Sequence, residues 1–289
     1  MSPQSRQQTI RPGTLISFVA ALFILGFFLS NALAAPVLGD AFKLDDPVFL
    51  PGDTVMNPVV ATNGLNYLVV WQDRSSHGDI RGARLDLDGN LLDPEGFSIS
   101  VASNAQKYPS VAAVGTHYLV VWQDSRAGKT DIYGARVSSD GVVLEQVGVP
   151  ICVQGIQQYF PVVASDGAEA LVAWRDHRGK TPGFIMGAWV EWMDDGRWEI
   201  EEVVIGGESC TDSTSCEPNG QVCSTINGYC ISGNGYGQDR PALASNGEDY
   251  LVTWKDSRTQ WHVYDIYGAR VSRDAGISTV ETNIPILSA

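Results

Sequence analysis

The chain has 289 residues, five cysteines, 44% apolar residues and a formal charge of −14 at pH 7. No Lys/Arg cluster offsets that acidic balance locally, which excludes nucleic acid and anionic membrane surfaces as partners by bulk electrostatics. The length suits one sizeable core or a repeat array.

In chain order, Arg6 and Arg11 precede the apolar run LISFVAALFILGFFL, which ends before NALAAP. A positive segment, an apolar segment and small residues Ala32 and Ala34 at the −3 and −1 places predict a secretory signal over residues 1–34. Cleavage there leaves residues 35–289 at a charge of −16, because the removed segment holds two arginines and no acid. The expected location is secreted, cell-surface or periplasmic. The alternative is an uncleaved anchor, since the run is near the upper length for a signal.

A repeat follows. YLVVWQDRSSHGDIRGARL from Tyr67, YLVVWQDSRAGKTDIYGARV from Tyr118 and YLVTWKDSRTQWHVYDIYGARV from Tyr250 are near copies, with a weaker one, ALVAWRDHRGKTPGFIMGAWV, from Ala170. Trp71, Trp122, Trp174 and Trp254 are separated by 51, 52 and 80 residues, and Pro58, Pro109, Pro161 and Pro241 keep the same spacings. The units run over about residues 52–102, 103–154, 155–205 and 236–289, with a Cys-rich insertion at 206–235. Each unit predicts four short strands: one following the Pro, the YLVVW run, the DIYGARV segment, and one after a turn carrying Asp-Gly. Four-stranded antiparallel units at this period predict an all-β, β-propeller-like array of four blades. A blade cannot bury both of its faces alone, so the recurring Trp is expected to fill the space between blades.

V-V-W-x-D-x-R followed by D-I-Y-G-A-R-V resembles the repeats of secreted bacterial β-propeller-like proteins, from about residue 47 to 289 outside the insertion. The resemblance implies fold and export, not an activity. DPVFL, Asp46 to Leu50, is an additional fourth-strand motif ahead of the first unit. The strand count therefore leaves ring closure open: four blades, completion by a partner chain, or a piece of a longer array.

The repeated charges are Asp73, Asp124 with Arg126, Asp176 with Arg178, and Asp256 with Arg258; unit one carries Arg74 instead, displaced by one place. Their recurrence assigns them a structural role, each Asp pairing with the third-strand Arg of its blade, Arg84, Arg136 or Arg270. The loops expected on one face carry the candidate ligand-binding residues. These are Gln106, Lys107 and Tyr108; Gln157, Gln158 and Tyr159; and Gln238, Asp239 and Arg240, expected to ring a central opening. Unit three adds Trp189 and Trp192, either a recognition surface or a repacked blade interface.

Cys210, Cys216, Cys223 and Cys230 are expected to form two disulfides in an exported chain, with three connectivities open, and Cys152 to be a buried thiol. No cofactor or metal is expected. His77, His177 and His262 sit at unequal offsets from the repeat Trp, and LDLDGN (Leu85 to Asn90) lacks the distal Glu of a calcium loop and reads as a hairpin turn. No zinc-protease, nucleophile-elbow or P-loop motif is present. The leading reading is a non-catalytic module for a glycan or protein ligand. Two others stand beside it: a polysaccharide-acting hydrolase using paired carboxylates, and a purely structural array that self-associates.

Overall fold

The computed structural model describes residues 55–287, apart from 75–77, 155–156, 179–182, 194, 207, 210–221, 224–228, 232–236, 261–262 and 275–276. The signal segment, DPVFL, His77 and His262 lie outside the described residues, as do the side chains of Arg258 and of the four clustered cysteines.

Four sheets of four antiparallel strands carry the fold, each ordered as in the chain. The first blade is β1 (Val55–Thr62), β2 (Tyr67–Asp73), β3 (Asp79–Leu85) and β4 (Phe97–Ser100). The second is β5 (Gln106–Val114), β6 (His117–Asp124), β7 (Asp131–Val137) and β8 (Val149–Cys152). The third is β9 (Gln158–Ser165), β10 (Ala170–Asp176), β11 (Phe184–Trp192) and β12 (Trp198–Val204). In the insertion, β13 (Glu208–Ser209), β14 (Val222–Cys223) and β15 (Tyr229–Ile231) pair as a small sheet of their own. The fourth blade is β16 (Gln238–Ser245), β17 (Tyr250–Gln260), β18 (Val263–Asp274) and β19 (Ile277–Leu287). Inner strands pack side by side, β1 on β5, β5 on β9 and β9 on β16. Among the described residues no comparable contact joins β16 to β1, so the array is open at that seam.

YLVVW is apolar without interruption because both faces of the blade are covered. Tyr118, Val120 and Trp122 join Leu68, Val70, Ile80 and Ile99 of the first blade, while Leu119 and Val121 face Trp174 of the third. Trp254 enters the third blade's Leu171, Ala173 and Ile185 in the same way. Trp122, Trp174 and Trp254 are at most 1% exposed. Burial of a Trp contributes about 4–6 kcal/mol on area alone. The expected role of Trp as filler between blades is what the packing shows.

The glycine of D-I-Y-G-A-R-V has a packing cause. A Cβ at Gly134 would lie 2.9 Å from Ile151 Cδ1 and 3.2 Å from the Val120 carbonyl, and Gly82 and Gly187 are equally crowded by Ile99 and Ile205. The Asp-Gly turns behave as expected, with Gly89, Gly141 and Gly196 at φ of 88°, 83° and 84°.

Two expectations need correction. The inner strands do not start at the Pro; β5, for example, begins at Gln106 and runs through Pro109. A bulge lies there in all four blades, and a bulge is where a residue without an N–H costs the ladder nothing. Nor does the second-strand Asp pair with the third-strand Arg. Asp124 holds Arg126 two residues on, Nε at 2.9 Å and Nη2 at 2.5 Å, and accepts the Trp122 indole N–H at 2.9 Å. Asp176 does the same for Trp174 and Arg178, and Asp256 accepts from Trp254 at 3.0 Å. Arg84 and Arg136 turn instead to Asp93 and Glu145 in the following hairpin, while Arg270 pairs with Asp249. The structural role stands; the partners differ, because the i+2 turn brings the nearer Arg onto a carboxylate that is wholly buried.

Candidate functional site

The four bulges give the array its most unusual backbone. Asn57, Tyr108, Phe160 and Arg240, each directly before the repeat Pro, adopt φ of 53°, 51°, 54° and 54°. The left-handed region costs a non-glycine residue roughly 1–2 kcal/mol, and bulges re-aim the side chain that sits on them. Four equivalent positions therefore carry strain, and the side chains they present differ in every blade. Such sites are characteristic of function rather than of packing.

Three of the four side chains meet. The Tyr108 and Phe160 rings are edge-to-face with centroids 4.9 Å apart, and the Arg240 guanidinium lies 4.3 Å over the Phe160 ring. Tyr159 stands 6.0 Å from Phe160 and edge-on to His177 at 5.5 Å. Tyr108, Tyr159 and Phe160 are partly accessible, and Lys107 and Arg240 are exposed. The result is an aromatic platform with cationic edges at the inner rim.

Its supports come from the variable position inside W-x-D, which the sequence reading passed over. Gln123 Oε1 accepts the Phe160 N–H at 2.7 Å, and Arg175 Nη1 donates to Asp239 Oδ1 at 3.2 Å, each reaching from one blade to the bulge of the next. Gln72 Oε1 accepts from Asn57 Nδ2 at 3.2 Å within the first blade. Burial and the neighbouring Arg175 cation hold His177 below its ordinary imidazole range.

Of the candidates, Lys107, Tyr108, Tyr159, Asp239 and Arg240 are brought to this rim, and Gln157 is half-buried beside it, its carbonyl accepting the His177 N–H at 2.9 Å. Gln106, Gln158 and Gln238 are not rim ligands. They are 0%, 0% and 3% exposed, and their backbone N–H groups clamp each blade to the preceding one through Gly78, Thr130 and Gly183. Their side-chain amides donate to Asn104, Gln154 and Gly206 carbonyls, and Gln238 Oε1 accepts the Ile185 N–H. Trp189 is no surface platform either. It is 1% exposed between the third and fourth blades, donates to Ser278 Oγ at 2.7 Å and meets Tyr250 edge-on. Trp192 is half-buried, packed with Trp198, 6.1 Å away, and under Arg136.

Asp124 and Asp131 face each other across the β6–β7 hairpin at the rim end of the second blade, and burial pushes the Asp131 carboxyl up. Cys152 is buried and free, its thiol pushed up by the same cause, with Arg178 Nη2 at 3.1 Å. In LDLDGN the Asp86 carboxylate accepts from the N–H groups of Asp88 and Asn90 and from Asn90 Nδ2, so it serves the turn. Among the described residues no group of three or more His, Cys, Asp or Glu side chains is disposed to hold a metal ion.

No family model and no curated protein matches the chain. Solved structures do. The chain is similar to a thermostable family-43 glycoside hydrolase (TM-score 0.45, 12% identity, 84% of this chain and 76% of that one). It is also similar to the native Bacillus subtilis arabinanase Arb43A (TM-score 0.40, 12% identity, 78% and 80%). A third is the Bacteroides ovatus xyloglucan protein GH43B (TM-score 0.43, 12% identity), where 80% of this chain matches 45% of that one. The propeller-like fold itself rests on the strand order and register of the four sheets.

Proposed function

We propose that the inner rim is a carbohydrate-binding site and that the chain acts as an exported glycan-recognition module. The observation that carries this is the set of strained pre-proline bulges, which commit Tyr108, Phe160 and Arg240 to one cluster beside Tyr159. Aromatic faces suit the apolar faces of sugar rings, while the Lys107 ammonium, the Asp239 carboxylate and the Tyr159 hydroxyl supply donors and acceptors for sugar hydroxyls. A protein ligand is served less well, because the rim offers a small platform rather than a wide apolar patch.

A second reading, glycoside hydrolysis, is favoured by one observation: the Asp124–Asp131 pair at the same end of the blade. A carboxyl that burial holds protonated suits a general acid, and the partner locked by Arg126 suits charge stabilisation. The test is a polysaccharide and glycan array of the purified exported chain, with every hit assayed for released reducing sugar. Saturable binding without release supports recognition. Release that Asp131→Asn abolishes makes the chain a hydrolase instead, and an array without hits refutes both.

A further inference from the structure

The repeat allows equivalent positions on the blade faces to be compared. On the face turned toward the following blade, Leu68, Leu119 and Leu171 are all 0% exposed, yet their equivalent Leu251 in the fourth blade is 45% exposed. Ile99, Ile151 and Ile205 are 1%, 5% and 0% exposed, whereas Ile286 is 52%. The third-strand Arg follows suit. The side chains of Arg84 and Arg136 are 15% and 12% exposed, Arg84 donating to the Ser139 carbonyl of the next blade, but Arg270 is 56% exposed. Four independent strands of the first three blades thus define what this face is built to meet, and the fourth blade presents the same chemistry to nothing among the described residues.

The opposite end of the array shows the complementary mismatch. Facing the preceding blade, Tyr118 and Tyr250 are 0% and 1% exposed and bond its backbone, Tyr118 to the Asn66 carbonyl at 2.6 Å and Tyr250 to the Glu169 carbonyl at 3.2 Å. Their equivalent in the first blade, Tyr67, is 37% exposed. Val111 and Val163 are 8% and 7% exposed in inner strands, while Val60 is 60%.

We infer that the outward face of the fourth blade is the seat for the first blade of a second copy of this chain. The occupant follows from continuity with an interface the molecule already makes three times: a Leu–Ile face receiving a Tyr–Val face. One copy has one unfilled example of each, so the association is head-to-tail, unlike a two-fold contact in which one patch meets itself. The inner-rim site takes no part in it, and the inference stands whether or not that site binds glycans.

The experiment is sedimentation velocity of the purified exported chain over a broad concentration series. The wild type is expected to associate as concentration rises. Leu251→Glu, which spoils the seat, and Val60→Glu, which spoils the incoming face, are each expected to weaken association at least about tenfold, to monomers over the same range. Both positions are exposed, so near-ultraviolet circular dichroism should be unchanged. The decisive sample is an equimolar mixture of the two variants. A head-to-tail contact leaves one intact seat and one intact face, and predicts 1:1 dimers that stop there. Wild type that stays monomeric throughout, or a mixture that does not dimerise while wild type does, overturns the inference.

Discussion

Replacing Asp124 with Ala tests whether the W-x-D-x-R motif is a structural device. The carboxylate is wholly buried, accepts the Trp122 indole N–H at 2.9 Å, and takes the Arg126 guanidinium with two nitrogens and the Arg126 backbone N–H at 2.9 Å. Its loss leaves a buried indole N–H unpaired, worth about 1–3 kcal/mol, and strips a mostly covered guanidinium of its partner. Together these place the destabilisation at about 3–4 kcal/mol. Asp124→Asn keeps an acceptor for the indole and should cost roughly half of that. Urea unfolding followed by tryptophan fluorescence reads both. Asp195→Ala is the control: it breaks the Asp195–Arg197 pair, whose side chains are 56% and 71% exposed, and should leave the midpoint unmoved. A loss under about 1 kcal/mol for Asp124→Ala would refute the structural assignment.

Three other outcomes are expected. Arg240→Gly removes a left-handed non-glycine strained by roughly 1–2 kcal/mol, so thermal melting should show stability kept or raised while glycan affinity falls about tenfold. His177 is held below its unfolded value, so the unfolded chain binds the extra proton first as pH falls. Stability is then complete above about pH 6.5, falls as pH drops through that value and levels off below the folded value; denaturation midpoints for His177→Gln should lack that step. Cys152, buried with its thiol pushed up, should resist iodoacetamide in the native protein and react at the rate of global unfolding, read by peptide-resolved mass spectrometry.

What could be read from the sequence was whatever recurs at a fixed offset. The Trp and Pro spacings placed every blade, because a residue that fills the same interblade space must return at the same register. That logic also applied to Gln106, Gln158 and Gln238, each three residues before the repeat Pro, and it marked them as clamps rather than ligands. Arg84–Asp93 and Arg136–Glu145 likewise share an offset of nine. The informative variation is at fixed positions: Asn, Tyr, Phe and Arg before the Pro, and Gln, Gln, Arg and Lys inside W-x-D. What periodicity does not carry is the bulge. Its positive φ depends on the pairing register of β1, β5, β9 and β16, a tertiary property. The Tyr108–Phe160–Arg240 contact also joins three different blades, and no local spacing announces it.

The central claim is that blades are built by what repeats and that recognition lies in what varies at the inner rim. Calorimetric titration of the best array glycan into wild type, Tyr159→Ala and Gln157→Ala tests it most directly. Tyr159 lies on the aromatic platform, and Gln157 contributes its backbone to the fold. The account predicts affinity at least about tenfold weaker for Tyr159→Ala and unchanged for Gln157→Ala, at equal melting temperatures. Equal affinity for all three proteins would place recognition elsewhere and contradict it.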